Sequence, residues 1–345
     1  MTKPETDRYS RQERFAAIGK DGQEKLRNSH VLVCGCGALG SVIANSLVRA
    51  GVGRLRIVDR DFLEMNNLQR QVLYDESDVR SGLPKAIVAK DKLERINSDV
   101  EIEAIVTDID HTNIESLMEG VDVVLDGTDN FETRFLINDA AVKNGIPWIY
   151  GGCIGAEGQT MTVLPGVTPC LRCLLQEMPP PGSSPTCDTA GILGPIINVI
   201  ASVEVAEAIK ILTDNVKSTS RALGVFDLWE NRVRHVGIDA LFTGFDSCLC
   251  QGKQFPWLDG ERGSHTASLC GRNSVQLTFS ERRQLDLSQL AAKLEGLGKV
   301  IANEYLVRFQ DEQYTLTVFA DGRAIITGTE EIAVAKSVYA RYVGA

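Results

Sequence analysis

Four sets of side chains in this sequence have types and spacings that could do chemistry. The first is the stretch VLVCGCGALG at 31–40, where an apolar run meets Gly35, Gly37 and Gly40. A buried strand ending in glycines permits a tight turn. A helix opening near Ala38 then aims its first N–H groups, the positive end of its dipole, at whatever sits in the turn. A phosphate suits that place. Asp59 ends a second apolar run, 55–58, where an acid would bind a ribose hydroxyl. The pattern specifies a nucleotide but neither its identity nor a reaction. Taken alone, it makes a nicotinamide-dependent oxidoreductase the default.

The second set is cationic and polar. RDFLEMNNLQR at 60–70 holds Asp61, Asn66, Asn67, Gln69 and Arg70 around Leu68. It reads either as a solvated loop or as a pocket wall beside the nucleotide, with Arg70 facing phosphate. Lys85 follows Pro84, and proline suits a first helical turn. A cation there opposes the helix dipole. Such local conflicts gather at functional sites, although a surface lysine in this position is also ordinary.

DGTDN at 126–130 is the third set. Asp126, Thr128, Asp129 and Asn130 follow a buried run and offer the oxygen ligands that Mg²⁺ prefers. Asp129 is equally a good cap for a helix starting at Asn130.

The fourth set is cysteine. Nine cysteines without a secretory leader point to metal or redox chemistry rather than a disulfide scaffold. Cys170 and Cys173 form a C-x-x-C pair, and Cys248 and Cys250 a tighter C-x-C pair. Together they suggest a four-thiolate zinc site, structural because four thiolates leave no open position; the other reading is partly buried free thiols. Cys187 follows the proline-rich loop 177–184, and Cys270 reads as a buried structural thiol.

Elements must position these groups. A polar N-terminal segment containing RYSRQ predicts a solvated helix over 10–27. Strands at 30–35, 54–59, 101–106, 122–126 and 147–151 alternate with helices at 38–50, 84–96, 111–119 and 130–143. That alternation is the mark of a doubly wound parallel sheet, whose ligands bind at the carboxyl ends of its strands. A strand-rich return at 152–169, a buried Ala-rich helix at 193–212 and strands at 221–228 and 231–237 extend it. A linker over 251–268 leads to a small α+β domain over 269–345. There, strands are expected at 274–279, 304–309, 313–319 and 323–327, and helices at 286–296 and 329–342. Asp321-Gly322 marks a turn and Thr329 a cap. The charge of −10 argues against nonspecific nucleic-acid binding. No apolar run reaches the roughly 18 residues of a membrane span, and no hydrophobic signal region opens the chain, so a cytoplasmic protein is expected.

RYSRQ, GCGALGS, AGVGRLRIVDRD, NNLQRQ, GLPKA, DGTDN, CLRC and TCDTAGILGP occur in this order over residues 1–250. In this the chain resembles the ThiF/MoeB/HesA family, relatives of ubiquitin-activating enzymes. The resemblance implies a Rossmann-like sheet extended by antiparallel strands. It also implies ATP-dependent adenylation of the C-terminal Gly-Gly carboxylate of a small ubiquitin-like sulfur carrier, for thiamine or molybdopterin synthesis. On that basis Gly35, Gly37, Ala38 and Gly40 hold the nucleotide, and Asp59 the ribose. Asp61, Thr128 and Asn130 line the site, while Asn67, Arg70 and Lys85 contact phosphates. Asp129 binds Mg²⁺, and Arg11 reaches across a homodimer interface. Cys170, Cys173, Cys248 and Cys250 bind zinc, although the family's second pair is usually C-x-x-C. Cys187 matches a cysteine that some members use covalently. The C-terminal domain resembles tails appended to some members. The competing readings are a non-catalytic scaffold for a ubiquitin-like protein and an oxidoreductase. The latter lacks a His/Asp proton-transfer pair, because His30, His111, His235 and His265 form no catalytic constellation.

Overall fold

The computed structural model describes residues 7–178, 190–242, 248, 252–261, 266–269, 273–277 and 284–344. Two compact units divide the chain, Met1–Arg262 and Gly263–Ala345.

The helices of the first unit are α1 (Ser10–Glu13), α2 (Gly19–Arg27), α3 (Ala38–Ala50), α4 (Glu76–Ser81), α5 (Lys85–Ile96), α6 (Ile114–Leu117), α7 (Phe131–Asn144), α8 (Leu171–Leu174) and α9 (Gly194–Leu212). Its strands are β1 (His30–Cys34), β2 (Arg54–Val58), β3 (Glu101–Ile105), β4 (Val123–Asp126), β5 (Trp148–Ile154), β6 (Glu157–Val163), β7 (Ala222–Asp227) and β8 (Arg232–Gly237). They form one eight-stranded sheet in the order β3-β2-β1-β4-β5-β6-β7-β8. The first five run parallel, and the last three add antiparallel. This is the doubly wound, Rossmann-like sheet with an antiparallel extension that the sequence implies.

β1 is buried along its whole length because helices cover both faces, hence its unbroken apolar run. Successive side chains still point to opposite faces. Val31 and Val33 join the core formed with α3, α5 and α9, whereas Leu32 and Cys34 join the one formed with α6 and α7.

Two expectations need correcting here. The single helix over 10–27 is broken: α1 ends at Glu13, and α2 begins at Gly19, whose φ is +62°. Glycine takes that left-handed conformation without the cost a side chain imposes. Between the two helices Phe15 is exposed, while Gln12 donates to the Ala50 carbonyl at 2.9 Å and ties the segment to the end of α3. The stretch 251–268 is not a plain linker. Trp257 and Leu258 are buried in the first unit, with the Trp257 ring 5.3 Å from Phe135. The Trp257 backbone N–H donates to Asp139, and Arg172 donates to the Gln254 carbonyl.

The second unit is an antiparallel sheet of β9 (Thr266–Leu269), β10 (Ser274–Leu277), β11 (Lys299–Ala302), β12 (Leu306–Gln310), β13 (Thr315–Phe319) and β14 (Ala324–Thr327), ordered β11-β12-β13-β14-β10-β9. α10 (Leu287–Leu294) and α11 (Ile332–Tyr342) pack with it around Leu294, Phe309, Leu316, Val318 and Ile326. β9 runs across the end of the expected linker at 268, and β11 was not expected. Asp321-Gly322 does make the β13–β14 turn, with the Phe319 N–H donating to the Arg323 carbonyl. Thr329 does not cap α11. The N-cap is Glu331, and the Thr329 hydroxyl instead accepts from the Glu331 N–H at 3.0 Å. No helix of the described residues is long and apolar enough to cross a membrane.

Candidate active site

Two turns at the carboxyl ends of β1 and β4 meet backbone to backbone. A Cβ on Gly40 would lie 1.9 Å from the Gly35 carbonyl oxygen, and one on Gly127 2.3 Å from the same atom. Gly35 itself has φ +87°. Glycine at these places is therefore a packing requirement. Gly37 differs: the nearest atom to a Cβ there is Gln71 Nε2, 3.8 Å away. It is the N-cap of α3, and no side chain caps the first N–H groups of the helix, from Ala38 onward. A helix N-terminus left uncapped in this way suits an anion.

The acid expected to hold ribose stands beside this turn. Asp59 is buried; one carboxylate oxygen accepts from the Cys36 N–H at 2.6 Å and the other from the Asp61 N–H at 2.7 Å. Burial pushes this carboxyl up, and Lys85 and the two N–H groups oppose the rise. Each oxygen keeps a second lone pair for a ligand.

Lys85 opens α5 directly after Pro84, as the sequence implies, and is 5% exposed. Its Nζ lies 3.3 Å from the Asp61 carboxylate, and its N–H donates to the Asp61 carbonyl at 2.8 Å. Asp61 thus answers the unfavourable dipole and aims the ammonium. Arg60 pairs with Asp108 at 2.7 Å. Burial works against its charge, but Asp108, Asp61 and Asp129 together raise its pKa.

The segment 62–71 forms the adjoining wall. Asn67 is buried in a short 3₁₀ turn, with its Oδ1 accepting from the Glu64 N–H and its amide donating to Asn66. Arg70 donates to the Asn66 carbonyl at 2.8 Å. Tyr74 fastens this wall to the glycine turn, donating to the Cys36 carbonyl at 2.7 Å. The Gln69 amide approaches the Ile192 carbonyl at 3.4 Å, which sets the start of α9 against the same wall. Cys34 and Cys36 are buried small residues: burial pushes the Cys34 thiol up strongly and the Cys36 thiol up to about 12.

In DGTDN the two aspartates separate. Asp126 is fully buried and accepts from Arg134 Nε at 2.8 Å, from the Thr128 N–H at 2.9 Å and from the Thr128 hydroxyl at 2.6 Å. Arg134 also donates to the carbonyls of Thr128 and Gly151. Asp126 is thereby committed to shaping the loop and does not face a ligand. Asp129 is exposed and makes no cap: Asn130 caps α7, its Oδ1 accepting from the Thr133 N–H at 2.8 Å. This corrects the expected cap. Sequence reasoning missed Gly127, Arg134, Gln71 and Tyr74, although Gly127 is visible as a glycine at a strand end.

Away from this cleft, Cys170, Cys173 and Cys248 lie with their sulfurs within 4.8 Å of one another. Cys170 Sγ is 3.7 Å from Cys173 Sγ and 3.6 Å from Cys248 Sγ. A tetrahedral zinc with Zn–S of about 2.3 Å sets its sulfurs about 3.8 Å apart, so the triad fits that ion. No other group of three potential metal ligands occurs among the described residues. The expected fourth ligand, Cys250, and the candidate Cys187 lie outside the described residues, as does Cys270. Arg11 is exposed on α1 and forms no ion pair with a described residue. The structure therefore links the glycine turn, Asp59, Asp61 and Lys85 directly, and sets the loop of Thr128 against that turn through Gly127. The side-chain hydrogen bonds of Asn67 and Arg70 stay within their own segment, those of Asn130 go to Asp129 and Thr133, and Asp129 is exposed. It leaves Arg11 apart.

Comparison with known proteins bears on the family. The ThiF family pattern matches residues 9–244. The sulfur carrier protein ThiS adenylyltransferase of Bacillus subtilis is 46% identical over 98% of this chain and 100% of its own length. A sulfur carrier protein adenylyltransferase of Thermus thermophilus is 40% identical over 69% of this chain and 89% of its own. Among solved structures, E. coli MccB with ATP superposes with a TM-score of 0.60 at 25% identity, covering 68% of this chain and 72% of that one. The chain belongs to the ThiF family.

Proposed function

We propose that this chain is a sulfur carrier protein adenylyltransferase: it uses ATP to activate the C-terminal carboxylate of a ThiS-type ubiquitin-like carrier, for thiamine synthesis in the cytoplasm. The observation that carries the reading is the linked set of uncapped α3 N-terminus, Asp59, Asp61 and buried Lys85. Kinship along the whole chain with a ThiS adenylyltransferase supports the choice of carrier.

The chemistry asks for these residue types. The carrier's carboxylate attacks the α-phosphate, a carboxylate–phosphate bond forms, and the bond to the leaving pyrophosphate breaks. Both reactants are anions, so cations and N–H dipoles that offset their repulsion and the charge moving onto pyrophosphate lower the barrier. Lys85, Arg70 and the α3 N–H groups supply that field. Asn67 orients a phosphate, and Asp59 takes the ribose hydroxyls on its spare lone pairs. Because the nucleophile is already ionised, no general base is needed, and none of the described histidines has to stand in the cleft.

Exposed Asp129 suits Mg²⁺, which keeps several waters and takes one or two carboxylates together with substrate phosphates. The ion would neutralise phosphate charge there. Zinc at Cys170, Cys173 and Cys248, completed by Cys250, would be structural. Arg11, without an ion-pair partner among the described residues, would enter the site of a second copy in a homodimer. Cys187 would take up the activated carrier covalently, and the exchange of Cys187→Ser would then abolish sulfur transfer while adenylation persists.

The test is exchange of labelled pyrophosphate into ATP with a Gly-Gly-tailed ThiS. Exchange with ThiS and an acyl-adenylate by mass spectrometry are expected. Carrier binding without any ATP turnover would leave a non-catalytic scaffold, and binding of NADH in place of ATP would restore the oxidoreductase.

A further inference from the structure

One carboxyl group in the first unit has no part in the reaction just described. Glu204 lies midway along α9 and is fully buried. Neither of its carboxyl oxygens has a protein hydrogen-bond partner among the described residues. It reaches the sheet at Gly151, where a Cβ would sit only 2.0 Å from its Oε1. The glycine at 151 is therefore what admits the carboxyl to the underside of β5. A leucine or methionine would fill such a space at far lower cost than an unsatisfied acid.

Its surroundings identify what the acid faces. On β4 there is Asp126, whose backbone N–H lies near Glu204 without reaching hydrogen-bond geometry. On α7 there is Arg134, and on β5 there is Tyr150. One guanidinium thus stands near two carboxyl groups. It is bonded to Asp126 and to the carbonyls of Thr128 and Gly151, and makes no bond to Glu204. Burial, followed by the Asp126 charge, pushes the Glu204 carboxyl well above its usual range, against the pull of Arg134. While Glu204 is a neutral acid, Asp126 holds Arg134 alone, and Arg134 holds the Thr128 carbonyl. Ionised, Glu204 becomes a second anion competing for the same cation in a dry interior, where such competition is strong.

We propose that Glu204 is a positioning residue for the nucleotide loop: through Arg134 and Asp126 it sets where Thr128 and Asp129 stand, and loss of its proton loosens that loop. The inference rests on the reading above that this loop serves ATP. It predicts that the chain weakens its hold on ATP as the solution becomes alkaline, by a route separate from any titration of ligand or carrier.

The experiment compares the full chain with Glu204→Gln, which keeps shape and removes the proton. ATP binding by titration calorimetry and KM for ATP in pyrophosphate exchange are followed from pH 6.5 to 9.5, with a melting curve at each pH. At pH 6.5 the two proteins should agree within about twofold. With rising pH, KM for ATP of the unmodified chain should climb several-fold while kcat changes less, and that of Glu204→Gln should stay flat. The melting temperature of Glu204→Gln should exceed that of the unmodified chain by a margin that widens with pH. Glu204→Leu, also without a proton, should share the flat KM profile even if it melts earlier. Parallel KM profiles would overturn the proposal, since a merely structural Glu204 moves melting alone. A constant melting margin would also overturn it. Absence of ATP binding by the unmodified chain would overturn the nucleotide reading and this inference with it. ATP binding with identical pH dependence in both forms would sink the inference only.

Discussion

The two units of the chain treat buried charge differently. In the first, ionisable groups sit deep beside the cleft: Asp126 with Arg134, Lys85 with Asp61, and Glu204. Asp139 with Arg172 is a further buried pair near the cysteine triad. In the second, the core is made of Val275, Leu294, Phe309, Leu316, Val318 and Ile326, and the one buried charge among the described residues is Arg323, 3.9 Å from the Asp321 carboxylate with its guanidinium over the Phe319 ring. Buried charges cost folding energy and are kept where chemistry needs shaped fields. The family pattern covers residues 9–244, within the first unit, while the B. subtilis protein matches nearly the whole chain. The family pattern thus lies in the first unit, and the second unit's core is built mainly from apolar side chains.

That contrast can be broken by experiment. The largest effect should come from Lys85→Ala, which removes a buried cation from the phosphate field. Pyrophosphate exchange should fall by about 10²- to 10³-fold, on the scale of losing one preorganised donor; exchange within fivefold of the unmodified chain would remove Lys85 from the site. Leu316→Ala should do the reverse, costing about 2–5 kcal/mol of stability in the second unit, measured by denaturant unfolding, with exchange per folded molecule preserved. A comparable loss of exchange would show that the second unit takes part in adenylation.

A smaller effect concerns pH. Above about pH 4.5 an unfolded chain releases the Glu204 proton that the folded chain keeps. Stability contributed by that group is therefore complete below this pH and declines as pH rises toward the folded value. Glu204→Gln should remove a slope of at most about 1.4 kcal/mol per pH unit, read from urea unfolding between pH 5 and 8.

The smallest effects compare two helix caps. Asn130 caps α7 in the first unit, and Asp286 caps α10 in the second, accepting from the Gln289 N–H at 2.9 Å. Either change to alanine should cost about 1 kcal/mol. Only Asn130→Ala should also raise KM for ATP, because Asn130 adjoins Asp129. Equal kinetics in both variants would separate the α7 cap from the reaction.

What the sequence disclosed was local. Strand, glycine turn, helix and acid lie close together in the chain, so 31–59 announced itself. Lys85 beside Pro84 did the same. What it withheld depends on distant partners. Nothing within DGTDN tells Asp126 from Asp129; Arg134, one turn into α7, takes the first and leaves the second exposed. Glu204 sits in an apolar helix and becomes notable only when β5 presents Gly151 to it. Trp257 and Leu258 lie in a polar stretch that reads as a linker, because their apolar partner Phe135 is far away in sequence. β11 lacks alternation, since its residues are mostly exposed, and so it gave no signal of a strand.

The contact of the Gly35 turn with Gly40 and Gly127 reaches beyond packing. Two loops that touch through bare backbone cannot slide or hinge independently, so the floor of the cleft is already rigid when a nucleotide arrives. The ordering entropy of that floor is given up during folding rather than during binding.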